Sequence, residues 1–104
     1  MAISVKELCC YFHTGGKFEI NCEGVVQYNG GDVKFKVIRE GITLEDLKSM
    51  IALWLGMDCN ICEMKYNVMF DEKTLINLDD DDEVVNLFAY NERIVHIYIA
   101  QKDM

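Results

Sequence analysis

TLEDLKSMIALWLG, residues 43–56, carries the clearest helical periodicity in the chain. Thr43 offers a hydroxyl to cap the first turn, and Asp46, three residues on, stands in the capping-box position. Leu47, Met50, Ile51 and Trp54 recur at helical spacing and form one apolar stripe, with Leu55 at its edge. Gly56 is placed to end the helix. An amphipathic helix has one face to bury, so the flanking segments must supply a surface to receive it.

Upstream, VKFKVI (33–38) alternates, with Val33, Phe35 and Val37 on one face and Lys34 and Lys36 on the other. That pattern predicts a half-buried strand showing its lysines to solvent. SVKELCCYFHTGG (4–16) reads as a strand ending in a glycine turn. KFEI and VVQY flank NCEG, which predicts a short hairpin, and YNGGD is a further turn. Downstream, EMKYNVMF (63–70) and TLINL (74–78) read as strands with DEK at the bend between them. DDEVVNLFAYN (81–91) reads as a short second helix with acids in its first turn, where the macrodipole favours them. RIVHIYIA (93–100) is nearly continuous in its apolar character, which places it centrally in a sheet. The order is strand, hairpin excursion, strand, helix, two strands, short helix, strand. The economical arrangement is an α+β roll of the ubiquitin or β-grasp type, a mixed sheet crossed by one long helix.

The chain has 104 residues, just over half apolar and none of them proline, which suits one compact domain. No apolar run approaches a membrane span, and MAISVKELCC lacks the pattern of a secretory signal. Five cysteines in an irregular, odd-numbered set suit a reducing nuclear or cytoplasmic setting better than a disulfide framework. Net charge is −8 and unevenly placed. Residues 1–42 balance five acids with five bases, whereas residues 43–104 hold thirteen acids and five bases. Such a chain is poorly suited to gripping a phosphate backbone but could bind a charge-complementary relative.

Five successive carboxylates, Asp79, Asp80, Asp81, Asp82 and Glu83, form the densest charge. In water, each neighbouring pair at ~6 Å costs about 0.7 kcal/mol. A solvated helix start, a docking surface and a cation site are all open readings. The last lacks an Asp-x-Asp-x-Asp-Gly loop. Cys59 and Cys62 form a lone CNIC that follows a helix and enters a strand, the reverse of the redox arrangement, and zinc would need two more ligands. Thiols packed at a sheet edge are the expected alternative. His13 and His96 have no nucleophile or carboxylate in a recognisable relation, and no phosphate-binding or nucleophile-elbow motif occurs. No catalytic group, cofactor, metal or small-molecule substrate is therefore expected. The ending AQKDM lacks the Gly-Gly of a conjugated modifier, so a covalent tag is not expected either.

Taken together, GGKF, VVQYNGGDVKFKV, TLEDLKSMIA, MKYNV, TLINLDDDDEVVNLF and VHIYIA resemble the PB1 domain. The nearest form is the plant one found at the N-terminus of Mutator-type transposases and transposase-derived, MUSTANG-like proteins. The resemblance covers about residues 5–100 of a single domain. It implies a ubiquitin-like fold and a non-enzymatic protein-interaction role, without direct nucleic-acid or membrane contact. One copy's acidic loop would meet a basic patch on another PB1-type domain, homotypic or heterotypic. On that match Asp81 and Glu83 hold the acidic positions and Asp79 the helix-capping place, with Asp71 and Glu72 supplying the first acidic half. FDEK replaces the usual acidic glycine turn. The key lysine of the basic patch falls near Cys9, leaving Lys6, Lys17, Lys34 and Lys36 as the candidate basic face. The alternatives are a ubiquitin-like adaptor using an apolar sheet surface and a small cysteine-based metal or redox protein.

Overall fold

A computed structural model of the chain describes residues 5–102, apart from the side chain of Glu72. Seven strands and two helices follow in the expected order: β1 (Glu7–Thr14), β2 (Lys17–Ile20), β3 (Val26–Asn29), β4 (Asp32–Arg39), α1 (Leu44–Leu55), β5 (Cys62–Val68), β6 (Asp71–Asn77), α2 (Asp81–Ala89) and β7 (Ile94–Gln101). A 3-10 turn, Cys59–Ile61, leads into β5. Five strands form one mixed sheet in the order β4-β1-β7-β5-β6. β1 runs parallel to β7, and the remaining neighbours are antiparallel. This is an α+β roll of β-grasp type, with the β2–β3 hairpin inserted between its first two strands.

α1 forms as its sequence dictates. Thr43 and Asp46 make the reciprocal capping box, and Gly56 ends the helix at φ 67°. Leu44, Leu47 and Ile51 bury against Leu8, Cys10 and Phe12 of β1, Met64 and Tyr66 of β5, and Val95, Ile97 and Ile99 of β7. α2 adds Val84, Leu87 and Phe88 to the same core. Each such aliphatic or aromatic side chain contributes about 1.5–3 kcal/mol when removed from water.

The two glycine pairs lie where the hairpin leaves and rejoins the sheet. A Cβ on Gly31 would stand 2.1 Å from the Thr14 carbonyl oxygen, and one on Gly16 would stand 2.5 Å from that of Asn29. Backbone therefore packs on backbone there, and only glycine fits.

Three expectations need correction. First, β4 faces the other way. Its register sets Lys36 opposite Cys10 and Lys34 opposite Phe12, so the lysines lie on the helix side and only Ile38 is buried. Val33, Phe35 and Val37 point to the open side and remain about half exposed. Alternation defines two faces, but β1's buried residues decide which one meets the core. Second, the β5–β6 bend falls at Met69–Phe70, and Asp71 to Lys73 already belong to β6. The Asp71 carboxylate takes the amides of Lys73 and Thr74 and the Thr74 hydroxyl, which suits the start of a strand after a tight turn. Third, Cys59 and Cys62 are buried in the core, and Cys62 opens β5 opposite Gln101 of β7 rather than lying on an edge strand.

Candidate functional site

The acidic run begins just after β6 and enters α2, where each carboxylate meets a different fate. Asp80, and not Asp79 as the resemblance implied, is the N-cap of α2, its side chain accepting the Glu83 backbone amide at 2.8 Å. Asp81, the first residue of α2, accepts the Leu44 amide at 2.8 Å. That amide is an otherwise unsatisfied donor at the start of α1, so one carboxylate serves two helix starts. Glu83 accepts from the Asn86 side-chain Nδ2 at 2.8 Å and is hydrogen-bonded to the Tyr66 hydroxyl. Burial, reinforced by the Glu83 charge, pushes Tyr66 up to about 12, so it remains the donor in this pair.

Asp79 and Asp82 are exposed and have neither hydrogen bond nor ion pair among the described residues. The three ion pairs among the described residues, Lys17–Glu19, Arg39–Glu7 and Lys65–Glu63, all lie elsewhere. The charge is thus partly structural, satisfying donors at two helix starts, and partly unspent.

Asp71 joins this corner from the turn side. It lines a shallow hollow of about 240 Å³ with Tyr66, Thr74, Ile76, Glu83 and Tyr90. The Thr74 hydroxyl, helped by two backbone amides, holds its carboxyl below the usual range. Phe70, 74% exposed, and Tyr90 meet edge to face at the rim, with centroids 5.9 Å apart. The Glu72 side chain lies outside the described residues. Acid beside exposed aromatic surface suits a lysine or arginine flanked by apolar groups.

The candidate basic residues do not form one patch. The Lys6 ammonium is hydrogen-bonded to the Phe88 carbonyl and caps the C-terminal end of α2. Lys17 lies on the hairpin, 3.6 Å from Glu19. Lys36 lies over the Trp54 ring at 5.5 Å. Lys34 is exposed on the same strand. Cys9 is half buried on the open face, with Val37 and Ile94 as its cross-strand neighbours.

The periodic pattern gave no sign of a ring cluster on the open face of the sheet. His13 Nε2 and His96 Nδ1 are 2.9 Å apart, which requires one proton between them. Tyr98 stacks on His13 and Tyr11 stacks on His96. The pair arises because parallel β1 and β7 set residues 83 positions apart on neighbouring strands. Only knowledge of that pairing could reveal it. Burial, with His96 second, lowers the His13 pKa.

Three buried cysteines, Cys10, Cys59 and Cys62, are poorly placed for thiolate chemistry. Burial raises Cys10 well above its usual value, pushes Cys59 up to about 11 and raises Cys62. Among the described residues, no three His, Cys, Asp or Glu side chains converge on a metal position, and no helix is long and apolar enough to cross a membrane. No protein-family model matches the chain, and no curated protein matches it.

Proposed function

We propose that this domain is a non-catalytic interaction module of PB1 type that presents its acidic corner to a basic surface on another PB1-type domain. The observation that carries this reading is the pair Asp79 and Asp82, exposed and in no hydrogen bond or ion pair among the described residues, in a run whose other three carboxylates accept internal hydrogen bonds. The β-grasp topology supports it, as does the hollow that joins Asp71 to Glu83. The scattered lysines favour an acid-donating role over a two-sided one. Membership of a larger, transposase-derived plant protein working in the nucleus or cytoplasm belongs to the same proposal and rests on the sequence resemblance alone.

The test is Asp79→Lys with Asp82→Lys, measured by calorimetry against a PB1-type domain that bears a basic face. Neither residue holds an internal bond, so the fold is expected to persist. Binding is expected to weaken by about tenfold to a hundredfold. Wild-type binding should also weaken when salt rises from about 0.05 to about 0.5 M. Affinity unchanged by the double substitution refutes the proposal.

A further inference from the structure

β4 is an edge strand. Its eight residues pair without a break to β1, and no strand lies on its outer side among the described residues. The other edge, β6, is less regular, since its pairing with β5 shifts register between Tyr66 and Val68. An unbroken edge exposes a row of backbone donors and acceptors, which proteins commonly blunt or cover. β4 has no proline or bulge to blunt it; its charged residues are Asp32, Lys34, Lys36 and Arg39, the last paired with Glu7 of β1.

The side chains along this edge differ by face. On the open face, Val33, Phe35 and Val37 are 54%, 51% and 46% exposed, and the apolar row continues through Tyr11 and Cys9 to Ile94. On the helix face, Lys34 and Lys36 are exposed and have no carboxylate partner among the described residues. The edge therefore offers backbone hydrogen bonds, alternate apolar contacts and alternate positive charges. Self-pairing centred on Phe35 would set Lys34 against Lys36 on both sides, and like charges directly opposite are unfavourable.

We infer that β4 accepts an extended segment of a partner protein in which apolar and acidic side chains alternate, added as a sixth strand. Main-chain hydrogen bonds supply affinity, the apolar side chains cover Val33, Phe35 and Val37, and the acids meet Lys34 and Lys36. The balanced charge of residues 1–42 leaves this edge free of the repulsion that the acidic half would impose. This surface is independent of the acidic corner.

The experiment uses a peptide matching β4 in length that alternates isoleucine with glutamate, a lysine counterpart, and a version of the acidic peptide N-methylated on one edge. Amide exchange and chemical shifts are followed by NMR on the full chain. The acidic peptide is expected to slow exchange at alternate β4 amides, while the lysine and N-methylated peptides do not. Lys34→Glu with Lys36→Glu is expected to weaken the acidic peptide about tenfold and to admit the lysine peptide. Asp79→Lys with Asp82→Lys is expected to leave the β4 protection in place, which separates this inference from the acidic corner. Equal binding of both charged peptides, binding that survives N-methylation, or absence of β4 protection overturns it. Protection without peptide, accompanied by dimers in sedimentation, also overturns it and assigns the edge to a second copy.

Discussion

Replacing Asp81 with alanine tests whether the acidic run holds two helices as well as carrying charge. The substitution removes the acceptor lying 2.8 Å from the Leu44 amide and a carboxylate from the first turn of α2. Loss of a capping acceptor costs about 0.5–2 kcal/mol. Loss of a first-turn charge costs about 0.3–1 kcal/mol. The change also relieves repulsion from Asp80 and Asp82, about 0.7 kcal/mol per neighbour at ~6 Å, which offsets the dipole loss and leaves the capping term, about 0.5–2 kcal/mol or roughly 2–10 °C in Tm for a domain of this size. Asp82→Ala is the control. It loses a similar dipole term but relieves repulsion of about 0.7 kcal/mol per neighbour at ~6 Å, so it should stay within about 0.5 kcal/mol of wild type. Asp81→Asn keeps an acceptor oxygen without the charge and should fall between the two. Urea unfolding followed by circular dichroism gives the ranking, with amide exchange at Leu44 as the local readout. Equal stability of the Asp81→Ala and Asp82→Ala variants, or unaltered exchange at Leu44, would refute the shared-cap argument.

Three further outcomes are expected. The His13 pKa is lowered in the folded state, so the unfolded chain binds more protons as pH falls below about 6.5, and stability should decline from pH 7.5 to pH 5. His13→Gln should flatten that part of a Tm-against-pH curve, and an unchanged slope counts against the assignment. Gly31→Ala places a methyl against the Thr14 carbonyl at a φ of +87°, whereas Gly24→Ala, at +82°, meets open space. Left-handed backbone costs both about 1–2 kcal/mol, so the urea midpoint should fall further for Gly31→Ala, and equal midpoints would deny the close crossing. Lys6→Met removes the cation that caps α2 and should lower stability by about 0.3–1 kcal/mol. Binding at the acidic corner should be unaffected, and a loss of affinity without loss of stability would return Lys6 to the binding surface.

Most of the fold was legible because local signals agreed with it. Thr43, Asp46 and Gly56 mark the ends of α1, and the apolar run of residues 93–100 marks the strand at the centre of the sheet. β4 misled because both of its faces carry an argument. Three apolar residues outnumber Ile38, yet burial follows the partner strand, whose register sets Lys34 and Lys36 on the helix side, with Lys36 over the Trp54 ring. The acidic corner was legible as charge but not as architecture. That Asp81 reaches Leu44, and that Asp71 shares a hollow with Glu83, depend on packing between segments far apart in sequence. The His13–His96 contact was hidden for the same reason.

The parallel seam between β1 and β7 has a consequence for biosynthesis. A ribosome releases the first strand long before the last, and Leu8, Cys10 and Phe12 find their neighbours Val95 and Ile97 only when the final strand emerges. Until then a nascent chain carries β1 with its β7 side uncovered, a target for chaperones and for premature self-association. Closure of that seam, more than assembly of either helix, should govern how quickly newly made molecules become native.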